Sequence, residues 1–440
     1  MNVRLSISVI LMAVSALSCK AQTPERPNVL VIIADDLGWN DVGFHSKSAT
    51  TPHLDRFAKE GIELQRFYTY AVCSPARAGL LTGQMPRRFG ITHVVGPQQP
   101  GLPRDVATLP ETFRAAGYRT SLIGKWHLGK ARGPSDSGFD HFYGFMGAEI
   151  DYFKHTAIRS EQTDWQRNGK TVVEEGYSTD LLADEAVRLL QEQAKGRPFY
   201  MQVAFNAPHI PLAAPESFVE KHKNGGGLYA AVIDAMDSAI GRILAELDRQ
   251  KLRDNTLVVF FSDNGADLRL SRSTPLSRGK DTIYEGGIHT PCVIRWPGRV
   301  AAGATSKQPV SVQDLFPTLA GAAGLKLPTN VRLDGSDQWP VLVSGKVTPR
   351  PPFLIAMSDI ALIDGDWKLI EWNTGNLSLF NLSKDISETT DLYAKEPERA
   401  RVLTAKLDEL KQGLPAAATR GSPKGGAKGK GKGKGKASAP

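Results

Sequence analysis

The stretch Asn28–Ala34, NVLVIIA, is an almost purely apolar run that ends directly before the acidic pair Asp35-Asp36. A short continuous run of this kind predicts a β-strand that is buried on both faces, as in a parallel sheet covered by helices. Thr51-Pro52 then has the pattern of a helix start, and Gly61 has that of a helix end. A buried strand followed by a helix is the repeating unit of α/β folds.

The same alternation of strand and helix recurs along the chain. Further buried strands are predicted at Arg119–Ile123, Phe199–Phe205 and Thr256–Phe261. Amphipathic helices are predicted between them, over Thr179–Gln193 and Leu228–Asp248. The pattern therefore predicts an α/β fold with a large mixed, mostly parallel sheet flanked by helices.

The composition changes near residue 345, which divides the chain into two structured parts. Residues 346–415 contain short β-like segments at Trp367–Trp372 and Leu377–Leu382, followed by a helical pattern at Pro397–Gln412. We predict a main domain over residues 26–345 and a smaller C-terminal α+β subdomain after it.

The formal net charge of +8 is concentrated in the C-terminal tail, residues 416–440. From Arg420 onward this tail holds six Lys and one Arg and no acidic residue, which leaves +1 for the rest of the chain. A nearly neutral body gives no indication of nucleic-acid binding. The Gly/Lys repeat in the tail has too little apolar surface to form a core, so we expect the tail to be disordered.

The N-terminus has the features of an export signal over residues 1–21. Arg4 gives a positive start, and Leu5–Leu17 is a largely apolar run that is too short to cross a bilayer. Cys19 lies where a lipoprotein signal places its lipidated cysteine, although Ala16 occupies a position where such signals usually carry Leu. Cys19 is therefore either a lipid anchor or lost with the cleaved signal. Either way we expect an exported protein, which is periplasmic, anchored to the outer membrane or extracellular.

Beyond the signal the chain has two cysteines, Cys73 and Cys292. Exported proteins usually pair their thiols, but Cys292 lies in a predicted strand at His289–Trp296 and offers no sensible partner for Cys73. Pro75 places Cys73 at a helix N-terminus, where the helix dipole and Arg77 are expected to stabilise negative charge. On these residues alone, a reactive thiol and a merely buried one both remain open.

Polar residues follow each predicted strand at its carboxyl end. They are Asp35 and Asp36, Lys125 and His127, His209, and Asp263 and Asn264. Each has an ordinary explanation by itself, such as a solvated turn or a hydrogen-bonded loop histidine. Because the carboxyl ends of parallel strands meet at one edge of the sheet, we expect them to form one site. Their carboxylate and amide oxygens favour Ca²⁺ or Mg²⁺ over zinc.

The segment from Cys73 to Arg77, CSPAR, continued by Leu81-Thr82-Gly83, resembles the sequence that formylglycine-generating enzymes read in sulfatases. Other blocks that are similar to this family are DDLG at 35–38, GKWHLG at 124–129, PHIP at 208–211, SDNG at 262–265, and Lys280 ahead of Glu285-Gly286-Gly287. The resemblance runs in order from Arg26 to Leu392. It departs at His289, where many members carry Arg.

The resemblance to formylglycine-dependent (type I) sulfatases implies an alkaline-phosphatase-like fold, with 26–345 as the catalytic domain. It implies that a formylglycine-generating enzyme oxidises Cys73 to formylglycine (3-oxoalanine). It also implies one Ca²⁺ ion. The expected ligands are Asp35, Asp36, Asp263, Asn264 and the modified Cys73.

The family mechanism implies a role for each remaining residue. A hydroxyl of the hydrated aldehyde attacks sulfur, and its second hydroxyl later expels sulfate. Arg77 and Lys125 would stabilise the formylglycine oxygens, and His127 would be the base for sulfate expulsion. His209 would donate a proton to the leaving oxygen, and Lys280 would bind the sulfate. Lys125, His209 and Lys280 are thus also expected to contact the substrate.

Within the family, residues 138–144 and 151–155 resemble the arylsulfatase B (N-acetylgalactosamine-4-sulfatase) group. This implies a sulfated glycan substrate, with 4-O-sulfated galactose or N-acetylgalactosamine as the candidate sugar, and Asp151 and His155 as substrate contacts. Two alternatives stay open. One is a phosphonate or phosphate ester hydrolase of the same superfamily, and the other is a non-catalytic, calcium-dependent glycan-binding protein that keeps Cys73 as a thiol.

Overall fold

The computed structural model describes residues 26–192, 196–327 and 331–416. The expected export signal, Cys19 and the tail beyond Ala416 lie outside the described residues. Within the described part of the chain, none of the helices has the length and apolar character needed to cross a membrane.

The strands, in chain order, are β1 (Asn28–Ala34), β2 (Ile62–Leu64), β3 (Phe67–Tyr68), β4 (Arg119–Lys125), β5 (His141–Phe145), β6 (Gln166–Arg167), β7 (Lys170–Thr171), β8 (Phe199–Ala204), β9 (Thr256–Ser262), β10 (Cys292–Arg295), β11 (Ala304–Ser306), β12 (Val310–Ser311), β13 (Phe353–Ala356), β14 (Ile360–Asp364), β15 (Trp367–Glu371) and β16 (Leu377–Asn381). The α-helices are α1 (Pro52–Glu60), α2 (Cys73–Thr82), α3 (Leu109–Ala115), α4 (Ser178–Glu192), α5 (Glu216–His222), α6 (Gly227–Arg249), α7 (Glu285–Ile288), α8 (Leu315–Ala322), α9 (Trp339–Ser344) and α10 (Pro397–Leu410).

A ten-stranded sheet in the order β11-β2-β10-β9-β1-β8-β4-β5-β6-β7 forms the centre of the molecule. Its middle strands, from β9 to β5, pair in parallel, and antiparallel pairs join β10 to β9 and β6 to β5. This confirms the predicted large mixed, mostly parallel sheet. The strand expected at His289–Trp296 is shorter, because α7 runs up to Ile288 and pairing with β9 begins only at Cys292.

Every residue of β1 is buried, as the apolar run predicted. Val29, Val31 and Ile33 face one hydrophobic core, and the alternate residues of the strand face another. The first core lies under α2, and the second lies under α4 and α6. With helices on both faces, the loops at the ends of the parallel strands are left free to build a site.

The C-terminal part is a four-stranded antiparallel sheet in the order β13-β14-β15-β16, with α10 packed against it through Leu403 and Leu407. A buried lysine of β15 fixes this sheet to the main domain. Lys368 pairs with Glu285 of α7 at 3.0 Å and with Glu388 at 2.8 Å, and all three side chains are fully buried.

Candidate active site

The carboxyl ends of four neighbouring strands, in the order β9-β1-β8-β4, place the predicted residues beside one another. The parallel register pairs Ala34 of β1 with Ser262 of β9, so Asp35 and Asp263 follow at the same level. The amide of Asp263 donates to the carbonyl of Ala34 at 3.0 Å, which extends the ladder into the site. The sequence argument from strand ends therefore describes the observed geometry.

Cys73 is the first residue of α2 and lies buried at the bottom of the site. Its thiol donates to Oδ1 of Asp35 at 3.3 Å, and Nζ of Lys125 lies 3.6 Å from its sulfur. The same Lys125 ammonium forms an ion pair with Oδ2 of Asp35 at 2.5 Å. Asp35 and Lys125 thus contact the cysteine together.

Arg77 lies one helical turn after Cys73, but its guanidinium points to a different partner. Nη2 and Nε donate to Oδ2 of Asp263 at 2.7 and 3.0 Å, and Nη1 donates to the carbonyl of Lys125 at 3.1 Å. Its distance to Oδ1 of Asp35 is 3.8 Å. The Arg77 guanidinium therefore orients the Asp263 carboxylate.

Asp36 connects the carboxylate cluster to the residues above it. Its carboxylate accepts from Nδ2 of Asn264 at 2.7 Å and from Nζ of Lys280 at 2.6 Å. Nζ of Lys280 is also 3.0 Å from Nε2 of His209. Nδ1 of His209 donates to the carbonyl of Ile210 at 2.6 Å, since a carbonyl can only accept. Nε2 is then the nitrogen that faces the site.

His127 has a left-handed backbone conformation (φ 54°) that turns its ring toward the site. Its Nδ1 is buried and has no hydrogen-bond partner among the described residues. Burial, followed by the charges of Lys125 and Arg77, lowers the pKa of His127 well below its ordinary value. The imidazole is therefore neutral, with one ring nitrogen that carries no proton.

The state of the thiol differs from the sequence expectation. Burial first, and then the Asp35 carboxylate, raise the pKa of Cys73 well above that of a free thiol, although Lys125 opposes them. Burial therefore outweighs any stabilisation of negative charge at the start of α2, and the Arg77 guanidinium is held by Asp263. An unmodified Cys73 is thus a poor nucleophile.

The carboxylates fit a divalent cation. One ligand atom from each of Asp35, Asp36, Cys73 and His209 lies within 4.8 Å of all the others. Burial and the adjacent Asp35 raise the pKa of Asp263 to about 7, a repulsion that a bound cation would relieve. Oδ1 of Asn264 is buried and has no hydrogen-bond partner within the described ranges. The oxygen atoms of Asp35, Asp36, Asp263 and Asn264 are hard ligands that suit Ca²⁺, whereas the Cys73 sulfur and the His209 nitrogen of the cluster are softer.

A cleft of about 630 Å³ lies above this cluster, and Cys73, His127, His209 and Lys280 line it. Asp151 and His155 do not. Asp151 caps its own loop by accepting the amides of Phe153 and Lys154 at 2.9 and 2.8 Å. The buried ring of His155 stacks on Trp165 and bonds the carbonyl of Gly176. Asp151 and His155 therefore make contacts within their own part of the chain and do not line the cleft.

Tyr152, between them, is a residue that the sequence reasoning missed. Its hydroxyl donates to the carbonyls of His209 at 2.9 Å and Asn206 at 3.1 Å, so it holds the His209 loop in place. Only its position in a family-like block could have indicated it. His289, where the family pattern is broken, lies away from the cleft and bonds Glu285 at 3.0 Å.

Comparison with known proteins agrees with the fold and the site. The model of the family described as Sulfatase matches residues 27–325. N-acetylgalactosamine-6-sulfatase of Canis lupus familiaris is 34% identical over 81% of this chain and 74% of its own length. Arylsulfatase A of Homo sapiens is 34% identical over 76% of this chain and 71% of its own length. The crystal structure of Ps i-CgsB in complex with k-i-k-neocarrahexaose has a TM-score of 0.84 at 32% identity, covering 90% of this chain and 94% of that one.

The fold and the site therefore define a sulfuric ester hydrolase. The chain belongs to the sulfatase family. The finer resemblance to the 4-sulfatase group stays a prediction, since the first of these relatives is named for the 6-position.

Proposed function

We propose that this protein is exported and removes sulfate from a galactose-type sugar of a glycan. It would do so with formylglycine made from Cys73 and one Ca²⁺ ion. The observation that carries the proposal is the position of Cys73. Its thiol is fully buried at the bottom of an open cleft, next to Asp35 and Lys125, and its raised pKa makes it unreactive as a thiol. Oxidation to an aldehyde gives that position a chemical use.

The proposed ligands of the ion are Asp35, Asp36, Asp263, Asn264 and the modified Cys73. When bound, the ion supplies Lewis-acid polarisation and the formylglycine diol supplies an oxygen nucleophile. Arg77 keeps the Asp263 carboxylate oriented through its two hydrogen bonds.

Two ammonium groups are available to the sulfate. Lys125 is buried beside Cys73. Lys280 lines the cleft and donates a hydrogen bond to Asp36. Burial lowers the pKa of Lys125, but the nearby carboxylates, Asp35 above all, raise it by more. The ammonium of Lys125 therefore stays charged. Charged donors in a buried site bind sulfate oxygens and offset charge that develops during cleavage.

The two histidines have different roles in proton transfer, His209 as the acid and His127 as the base. Nε2 of His209 faces the cleft beside the Lys280 ammonium, and in the imidazolium form, with a proton on both ring nitrogens, it is placed to protonate the leaving sugar oxygen. His127 is kept neutral by burial and accepts a proton when sulfate is expelled. The Ile210 carbonyl holds the His209 ring, and the Tyr152 hydroxyl holds the backbone carbonyl of His209.

The sugar in the substrate proposal rests on the relatives, and the 4-position of the sulfate rests on the sequence resemblance of residues 138–144 and 151–155. One relative is named an N-acetylgalactosamine-6-sulfatase, and another was solved with an oligosaccharide, k-i-k-neocarrahexaose. We propose galactose or N-acetylgalactosamine carrying a 4-O-sulfate, with the 6-O-sulfate as the competing position. Export, with Cys19 as a lipid anchor, is proposed from the sequence alone.

The test uses protein whose Cys73 has been characterised by mass spectrometry of the tryptic peptide Phe67–Arg77. Formylglycine should be present in active protein, and Cys73→Ala should lose turnover while the matched variant Cys292→Ala, in β10, keeps it. Full activity of protein containing only the thiol would contradict the proposal.

A panel of defined substrates then separates the alternatives. Sulfated galactose and N-acetylgalactosamine, esterified at the 4- or 6-position, should be hydrolysed faster than glucosamine sulfates. Faster turnover of phosphate or phosphonate monoesters would favour the ester-hydrolase alternative. Calcium-dependent glycan binding without turnover, by protein that retains the thiol, would favour the non-catalytic one.

A further inference from the structure

A second cavity, of about 880 Å³, lies beside the active-site cleft, between the main domain and the C-terminal sheet. Three segments of the chain line both spaces with consecutive residues. The second cavity is lined by Val72, His93 and Asp281, and the active-site cleft by Cys73, Val94 and Lys280. The two cavities are therefore separated by these three segments, one of which contains Cys73.

The C-terminal sheet gives the second cavity an aromatic wall. Trp372 follows β15, and its indole N–H donates to Ser378 at 3.0 Å while its ring packs on Tyr284 with centroids 5.4 Å apart. The ring is thus held in place and also lines the cavity. Asn373 lies next to it with an exposed amide. A fixed aromatic face beside an amide matches the C–H face and hydroxyls of a sugar ring.

The charges of the two spaces differ in sign. The second cavity is lined by the carboxylates of Asp281, Asp359 and Glu371, of which Glu371 is paired with Lys411 at 2.8 Å, and by one guanidinium, that of Arg87. Hydrogen bonds to two backbone carbonyls hold that guanidinium, at 2.6 and 3.0 Å.

The active-site cleft is lined instead by three cationic side chains, those of Lys130, Arg159 and Lys280, and by two acidic ones. A sulfated sugar is favoured in the cleft and repelled from the second cavity.

We propose that the second cavity binds the sugar next to the one that carries the scissile sulfate, and that it selects a neutral sugar over a sulfated or uronic one. This inference rests on the proposed function as a glycan sulfatase. The preferred substrate is then a glycan in which the neighbour of the reacting sugar is uncharged, and not a densely sulfated chain.

The experiment uses two disaccharides with the same sulfated galactose-type sugar, whose neighbouring sugar is either neutral or sulfated. Calorimetry on full-length Cys73→Ala protein gives the two dissociation constants without turnover, and kcat/KM is measured on the active enzyme. The neutral neighbour should bind more tightly. Trp372→Ala should reduce that advantage about three- to tenfold, the range for loss of an aromatic contact, and Trp372→Phe should restore most of it.

A charge variant tests selectivity separately. The Asp359 carboxylate accepts a hydrogen bond from the backbone N–H of Asn373 at 2.8 Å. Asp359→Asn keeps an oxygen for this bond but removes one negative charge. It should improve binding of the sulfated neighbour about two- to fivefold. Asp184→Asn, a carboxylate on α4 that lines neither cavity and pairs with Arg242, is the matched control and should change neither constant.

The outcomes separate this inference from the proposed function. A sulfated neighbour that binds as tightly as the neutral one, or a Trp372→Ala variant that keeps the preference, overturns the inference even if sulfate esters are hydrolysed. A binding preference that responds to both variants in a protein without sulfatase activity supports the cavity and overturns the proposed function.

Discussion

Replacing His209 with Ala separates the chemistry of the leaving group from the binding of sulfate. A sugar alkoxide is strongly basic and needs a proton as its bond to sulfur breaks, whereas nitrophenolate is stable at neutral pH. His209 is positioned for this transfer, with Nε2 3.0 Å from the Lys280 ammonium and its carbonyl held by Tyr152. The variant should therefore damage hydrolysis of a sugar sulfate much more than that of nitrophenyl sulfate.

Two contributions add up in the expected loss. The first is shared by both substrates, because Lys280 loses a hydrogen-bond partner; a bond to a charged group is worth about 1.5–3 kcal/mol, or roughly ten- to a hundredfold. The second applies to the sugar alone, because a positioned acid contributes about 10²–10⁴-fold. The ratio of the two losses in kcat/KM should then be about 10²–10⁴.

The assay measures kcat/KM of wild type and variant on both substrates. His127→Ala is the control, because it acts after the alcohol has left. Its defect should be similar for the two substrates, with sulfated protein accumulating. Equal losses for both substrates in the His209 variant would refute its role as the acid and leave it as a sulfate-binding residue.

Three further predictions follow from the metal site, the domain contact and the tail. Removing metal, or making Asp263→Ala, should nearly abolish turnover, and an undiminished rate after exhaustive chelation with partial unfolding would exclude the ion. Lys368→Met takes the ammonium away from the buried carboxylates of Glu285 and Glu388, which keep the hydrogen bonds from His289 and from the Glu285 amide. Urea unfolding should show a loss of about 3–5 kcal/mol, while a loss below about 1 kcal/mol would contradict the ion-pair argument. Deleting Arg420–Pro440 should leave turnover of a small substrate unchanged, and a large loss would show that the tail reaches the active site.

The sequence predicted strands β1, β4, β8 and β9 of the central sheet well because nearly all of their residues are buried. The strand Asn28–Ala34 has the bounds that its apolar run indicated, and Thr256–Phe261 was short by one residue. The same pattern located Asp35 and Asp263, since residues that follow parallel strands must emerge at one edge. Local sequence patterns thus predicted those features that depend on a single short segment, such as the bounds of a strand and the residues that follow it.

By itself, then, the sequence determined the α/β sheet, the family and the set of residues that meet at the ends of its strands. Only the tertiary structure decided what surrounds them. The raised pKa of Cys73, the hold of Tyr152 on His209 and the cavity beside Trp372 all depend on contacts between segments far apart in the chain. Burial and distance are properties of those contacts, and no periodicity or motif within a single segment records them.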